Sequence, residues 1–226
     1  MKRRTCGQTL ALDRRLEFSK QIRGDQSVFA AIAAVEQQGT VTLAPDDWNL
    51  SKGITIDKTV GVLGSSGLMT ALPGALASNT DAFIHIKADS VTLRGLRLSS
   101  NDGVGIGVYV QANSVTVSDC IISGFYTGLY IDTSNFVSVD SNLFVDCTEY
   151  GSSVVRSNGC KITGNTVTNN PSGKALLMDA NTVNSVVTAN VAPSGGIQYT
   201  ATGKNNVPPN ATTAAYTNVA NAFTVS

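Results

Sequence analysis

An all-β solenoid is the fold this sequence predicts, and three observations carry it. One pattern recurs five times, as VTLRGLRL (91–98), VTVSDCII (115–122), VSVDSNLF (137–144), CKITGNTV (160–167) and SVVTANVA (185–192). The starts lie 24, 22, 23 and 25 residues apart. A period of that size, built from β-type residues, marks stacked coils. A second row keeps step with the first: FIHI (83–86), GVYV (107–110), GLYI (128–131), SSVV (152–155), ALLM (175–178) and GIQY (196–199). Finally, charged residues make up only 14% of the chain, against about 25% in an average soluble domain. Val, Thr, Ser, Asn and Gly fill the difference, which suits strands and tight turns.

Taken in order, residues 1–24 form a basic arm, with a short helix expected over 10–22 and a stop at Gly24. A capping helix is expected within 27–38, because Phe29, Ile32, Ala33 and Glu36 have helical spacing before Gly39. A solenoid leaves its core open at each end, so an amphipathic helix there closes the first coil. Strands follow at 40–43, 48–50, 53–56 and 60–63, separated by turn residues such as Ala44-Pro45-Asp46-Asp47. Residues 68–80 read as a weakly patterned excursion. Regular coils then run to about residue 200, so the body spans 25–203 and a tail 204–226 follows the break at Pro208-Pro209.

Coils of this length with two to three strands and no intervening helices predict a parallel β-helix. Neighbouring strands lie roughly 4.8 Å apart, so equivalent residues stack. Alternation places Ile84/Ile86, Val108/Val110, Leu129/Ile131, Ser153/Val155, Leu176/Met178 and Ile197/Tyr199 inward. The sixth column of the first pattern holds Asn142, Asn165 and Asn190. Stacked amides that bond along the axis make such a polar column tolerable inside, so a structural ladder is expected there.

No apolar run approaches the ~20 residues needed to cross a bilayer. Asp13, Arg14 and Arg15 interrupt the stretch that an export signal would need, so none is expected. Cys6, Cys120, Cys147 and Cys160 lack metal-type spacing, and Cys120 and Cys160 fall in inward columns as small core residues. The zero net charge divides unevenly. Residues 1–23 carry seven Lys/Arg against two Asp/Glu, and the remainder nine against fourteen. Lys2, Arg3, Arg4, Arg14 and Arg15 are expected to make an attachment arm for an acidic protein surface or a neighbouring subunit, with a solvated tail as the plainer reading, and the near absence of interleaved aromatics argues against nucleic acid.

The segment SVFAAIAAVEQQGTVTLAPDDWNL, then ITIDKTVGVLGSSG and the V-x-V/I-x-x-N coils, resembles the pectate-lyase superfamily of right-handed β-helices. The likeness is to the version found in bacteriophage tail spikes and virion decoration proteins, and covers roughly 25–200. It implies a right-handed winding and a virion setting, assembled in the host cytoplasm. It does not imply one activity, because the fold hosts lyases, hydrolases and silent structural proteins.

The enzymatic branch needs paired carboxylates about 5–9.5 Å apart, or acidic Ca²⁺ ligands beside a base. Asp102, Asp146 and Glu149 follow strand ends on nearby coils and are the catalytic candidates if the chain is an enzyme; solvated turn residues are their plainer role. Asn79-Thr80-Asp81 matches one short polygalacturonase motif, but its companions are missing. His85, Tyr109, Tyr130, Val154 and Leu177 fall in one outward column, and Arg97, Ile121, Leu143, Thr166 and Val191 in another. Apolar stripes on a polar solenoid usually mark an interface, and coverage by the chain's own arm or tail, or a platform for sugar rings, are the rival readings of this one. The expectation is a non-enzymatic virion protein, a capsid decoration or tail-associated spike, forming a homotrimer and touching other capsid or tail proteins. A polysaccharide-binding or polysaccharide-degrading tail spike is the alternative. No cofactor, metal or membrane partner is expected.

Overall fold

The computed structural model describes residues 25–65, 67–172, 174–192, 197–199 and 211–212. The arm with Lys2, Arg3, Arg4, Arg14 and Arg15, the helix expected over 10–22, Cys6 and most of the tail lie outside them.

The capping helix spans Asp25–Ala34 and buries Val28, Ala31 and Ile32. Both bounds and face differ from expectation, because the buried set runs one residue ahead of the Phe29-based stripe. Val35 makes the last helical bond, to Ala31 O at 3.0 Å. Lys58 Nζ then donates to Ala33 O and Val35 O, 2.7 Å each, satisfying carbonyls that helix ends leave open. Phe29 is half-buried, with Lys52 Nζ 4.9 Å from its ring centroid.

Each circuit then passes through three sheets in turn. Sheet A contains Thr40–Thr42, Gly61–Leu63, Thr92–Arg94, Thr116–Ser118, Ser138–Asp140, Lys161–Thr163 and Val186–Thr188. Sheet B contains Trp48–Leu50, Leu68–Ala71, Arg97–Ser100, Ile121–Ser123, Leu143–Val145, Thr166–Thr168, Val191–Ala192 and Ala211–Thr212. Sheet C contains Ile54–Ile56, Ala82–Ile86, Ile106–Val110, Thr127–Asp132, Tyr150–Val155, Lys174–Met178 and Ile197–Tyr199. Pairing is parallel throughout, for example Thr92↔Thr116↔Ser138↔Lys161↔Val186. Leu68–Ala71 pairs with Arg97–Ser100, so the expected excursion shrinks to a loop over 72–81. In the tail, Ala211 pairs with Val191 and extends sheet B.

The turn from A to B needs one left-handed residue per coil: Gly95, Asp119, Ser141, Gly164 and Ala189, with φ between 54° and 66°. The next residue points inward, and there the asparagine ladder forms. Asn142 N and Nδ2 both donate to Asn165 Oδ1 at 2.9 Å. Asn165 N and Nδ2 repeat this to Asn190 Oδ1, at 2.9 and 3.0 Å. A second ladder, invisible in the repeat as aligned above, runs through the turn after sheet C. Ala112 N donates to Ser134 Oγ, Ser134 N to Ser157 Oγ and Ser157 N to Thr182 Oγ1, at 3.2, 3.2 and 3.4 Å.

Val, Ile, Leu and Phe fill the tube between the sheets, with Cys120, Cys147 and Cys160 buried as free thiols. Burial pushes the Cys120 and Cys147 thiols up to about 11 and about 12, which keeps them protonated and unreactive. Ser152 is an exception in this core: it is 2% exposed, takes the inward register between Leu129 and Leu176, and lines a small cavity with Ile162 and Val167. Ser152→Val should therefore fill space with apolar surface, gain about 1 kcal/mol and raise Tm by ~2–4 °C in a thermal melt.

Candidate functional site

The outer face of sheet C gathers the most varied chemistry. Register sets His85 beside Tyr109, Tyr109 beside Tyr130, Tyr130 beside Ser153 and Ser153 beside Leu177. The His85 and Tyr109 rings stack, with centroids 4.7 Å apart and planes 7° from parallel. Tyr130 meets Tyr109 edge-on, with centroids at 5.3 Å and planes at 64°. Both geometries suit ring quadrupoles.

Val154 does not belong to this row. It is fully buried and pairs with Ile131 and Met178, so it faces the core, whereas Ser153 faces outward. The inward pair in this coil is correspondingly Ser152/Val154, not Ser153/Val155. Aligning SSVV with GLYI was one residue out, and in a strand a one-residue slip exchanges the faces. Ser153 is 1% exposed despite pointing outward, and its hydroxyl makes no hydrogen bond. Leu177 is outward and half-buried, as the alternation required.

Two residues beyond the ring row lies a polar row that locks the rings. His85 Nε2 is 2.8 Å from Gln111 Oε1; with the amide oxygen as acceptor, Nε2 carries the proton. Burial lowers the His85 pKa, and the charge of Lys87 adds to this, outweighing the Gln111 bond, so the ring is neutral near pH 7. Tyr109 Oη donates to Asp132 Oδ2 at 3.3 Å. Arg156 grips Asp132 at both oxygens, Nε to Oδ1 at 2.9 Å and Nη2 to Oδ2 at 2.6 Å. Thr133 Oγ1 adds a bond to Oδ1, and Arg156 N donates to Asp179 Oδ1, both at 2.9 Å. Burial raises the Tyr109 phenol to about 12, helped by the Asp132 charge, so it stays a donor. For Asp132, burial pushes the pKa up but the bonds and charge of Arg156, with Thr133 and Tyr109, hold it below the usual carboxylate value.

The residues proposed for catalysis lie elsewhere, in turns from sheet B to sheet C. Asp102 Oδ2 accepts from Gly74 N at 3.3 Å. Asp146 is the left-handed residue of its turn, with φ 53°. Glu149 is ion-paired with Lys174, whose Nζ lies 5.2 Å from the Tyr150 ring centroid. Asp102 and Asp146 belong to different columns: the pairings Ser99↔Ser123↔Val145 place Asp146 over Gly124 and Ser100, two residues short of Asp102. Asp81, of the 79–81 tripeptide, accepts from Ala77 N and Ser78 N at 2.7 and 3.0 Å and so closes its own turn. On sheet B the second outward column has the expected register, Arg97, Ile121, Leu143, Thr166 and Val191.

The family described as right handed beta helix region matches residues 65–211. The chain belongs to the right-handed beta helix family. No curated protein and no solved structure matches it. Within this β-helix, Gln111, Asp132 and Arg156 are the site residues that sequence reasoning missed. Gln111 and Asp132 were detectable as the next outward positions after Tyr109 and Tyr130. Arg156 was not, since its bond to Asp132 crosses between coils.

Proposed function

We propose that this β-helix is a structural protein of a bacteriophage particle, a capsid decoration or tail-associated spike, and that it docks its partner on the outer face of sheet C. The observation that carries the reading is the His85–Tyr109–Tyr130 row, in which Gln111 holds His85, the Asp132–Arg156 pair holds Tyr109, and Tyr130 packs edge-on against Tyr109. Tyr and Arg are the residue types that anchor interfaces, and side chains already held in place lose little entropy when a partner arrives. The same bonds engage the His85 Nε2 proton and the Asp132 carboxylate, which favours binding over proton transfer. The likeness of 25–200 to phage β-helices supports the particle setting, and the excess of Lys and Arg in 1–23 supports anchoring by the arm. Neighbouring copies and other capsid or tail proteins are the partners.

Mass spectrometry of particles purified from a strain carrying this gene should find the chain in stoichiometric amount. A Tyr109→Ala/Tyr130→Ala double variant with an unchanged circular dichroism spectrum should be depleted from particles at least tenfold. A chain recovered only from the soluble cell fraction would overturn the proposal.

One feature favours a second reading, a polysaccharide ligand. Tyr109 and Tyr130 present rings beside phenol and guanidinium donors, which suit sugars. Incubation with host capsule or pectic polymers separates the two readings, because new reducing ends or unsaturated products would mean a degrading spike.

A further inference from the structure

The outer face of sheet B is almost free of charge. Its outward positions from Leu68 to Val191 hold a single charged residue, Arg97, toward the N-terminal end of the stack. Sheet A, by contrast, turns Arg94, Asp140 and Lys161 outward. Ile121, Leu143 and Val145 form the apolar centre of the sheet B face and are half-buried, alternating with the fully buried Ile122 and Phe144. At its C-terminal end Val191 is 39% exposed.

Size decides what this strip can hold. Three-residue strands make it about 10 Å wide, and the strands from Ile121 to Val191 stack to about 15 Å. The area, on the order of 150–200 Å², is far below the roughly 800 Å² per partner of a stable protein interface. A second folded copy gains too little on such a strip, whereas one extended segment of chain matches its width.

The chain supplies such a segment at the right place. Ala211–Thr212 pairs with Val191–Ala192 and ends sheet B, so residues 213–226, which lie outside the described residues, continue from the edge of this face. Those fourteen residues contain no Asp, Glu, Lys or Arg. By strand alternation, Val219, Phe223 and Val225 share one side, and Asn218, Ala220, Ala222 and Thr224 the other. Ile121 lies four strand spacings from Ala211, about 19 Å, and fourteen extended residues reach about 46 Å. Attachment at Thr212 also keeps the segment at an effective concentration in the mM range, so modest contacts suffice.

We infer that the outer face of sheet B seats the chain's own residues 213–226, which run back along the stack with Val219, Phe223 and Val225 against the Ile121–Leu143–Val145 patch. Neither surface has an ion to desolvate there, so apolar burial is not offset by that cost. The strap closes sheet B to other partners and does not depend on what docks on sheet C.

The test is maleimide labelling of Thr166→Cys in the full chain carrying Cys6→Ser, since Cys120, Cys147 and Cys160 are buried. Thr166 sits between Leu143 and Val191 in the outward column, and cysteine is close to it in size. Adding Phe223→Asp and Val225→Asp should speed labelling at least tenfold, because an apolar strip rejects an unpaired charge. Phe223→Ala, the milder change, should give an intermediate rate. Ser138→Cys, outward on sheet A, should label at one rate in all three backgrounds. Equal rates at Thr166→Cys would overturn the inference and place the segment elsewhere, such as over the end of the core. It fails equally if labelling rises at both positions in Phe223→Ala, which would make the segment part of the fold and not a cover. Protection of Thr166→Cys that disappears on dilution would show that a second copy supplies the segment, and that too rules the strap out.

Discussion

Asn165→Leu should lower stability by about 3 kcal/mol or more, which for a chain of this size is a Tm loss of roughly 6–12 °C. Asn165 is 2% exposed. Its Oδ1 accepts from Asn142 N and Nδ2, and its Nδ2 donates to Val139 O, Thr163 O and Asn190 Oδ1. Leucine matches its size but supplies no partner, so several buried groups lose one at once. Each buried group left unpaired costs about 1–3 kcal/mol, and the loss is bounded because some carbonyls keep other bonds. Chemical denaturation of both proteins measures the difference. A variant as stable as the native chain would mean that the ladder contributes shape but no net energy.

Arg156→Met should reduce Tm by roughly 4–6 °C at pH 7, with a loss that depends on pH. The Asp132 side chain is 7% exposed, so removing the guanidinium strands a nearly buried carboxylate. The cost falls short of the 3–5 kcal/mol typical of fully buried pairs, because the Arg156 side chain is 59% exposed and water screens it. In the native chain the Asp132 pKa is depressed, so its stabilising contribution is present above the ordinary carboxylate pKa and is lost as pH falls through the folded value. Without Arg156, burial dominates and raises the pKa, so the variant loses stability as pH rises. The two melting curves should converge only below the depressed native value of Asp132 and separate fully above its raised value in the variant. A constant difference across that range would mean that Arg156 acts by packing alone. His85–Tyr109 stacking should persist in the variant, since Gln111 holds His85 independently.

Much of the architecture was legible because stacking imposes a period. The columns Leu96, Cys120, Asn142, Asn165, Asn190 and His85, Tyr109, Tyr130 could be aligned from spacing alone, and both registers are present. The Ser134–Ser157–Thr182 ladder was not legible, although its spacing is as regular, because serine and threonine are common on both faces of this chain. Val154 was misplaced because apolar identity matches equally well in two adjacent registers. Only the paired backbone, with Ile131 opposite Val154, decides between them.

What the sequence determined by itself is therefore the winding: coils of 22–25 residues, a polar inner column of asparagines and a row of rings facing outward. Those properties depend on residue type at a fixed period, and period survives without coordinates. The tertiary structure alone decided which groups act together. Asp132 and Arg156 are 24 residues apart and meet because one coil lies on the next. Phe136 meets Gly159 for the same reason, in a left-handed turn that no spacing announces. Contacts between coils depend on turn conformation and side-chain direction, and these are set only when the strands have paired.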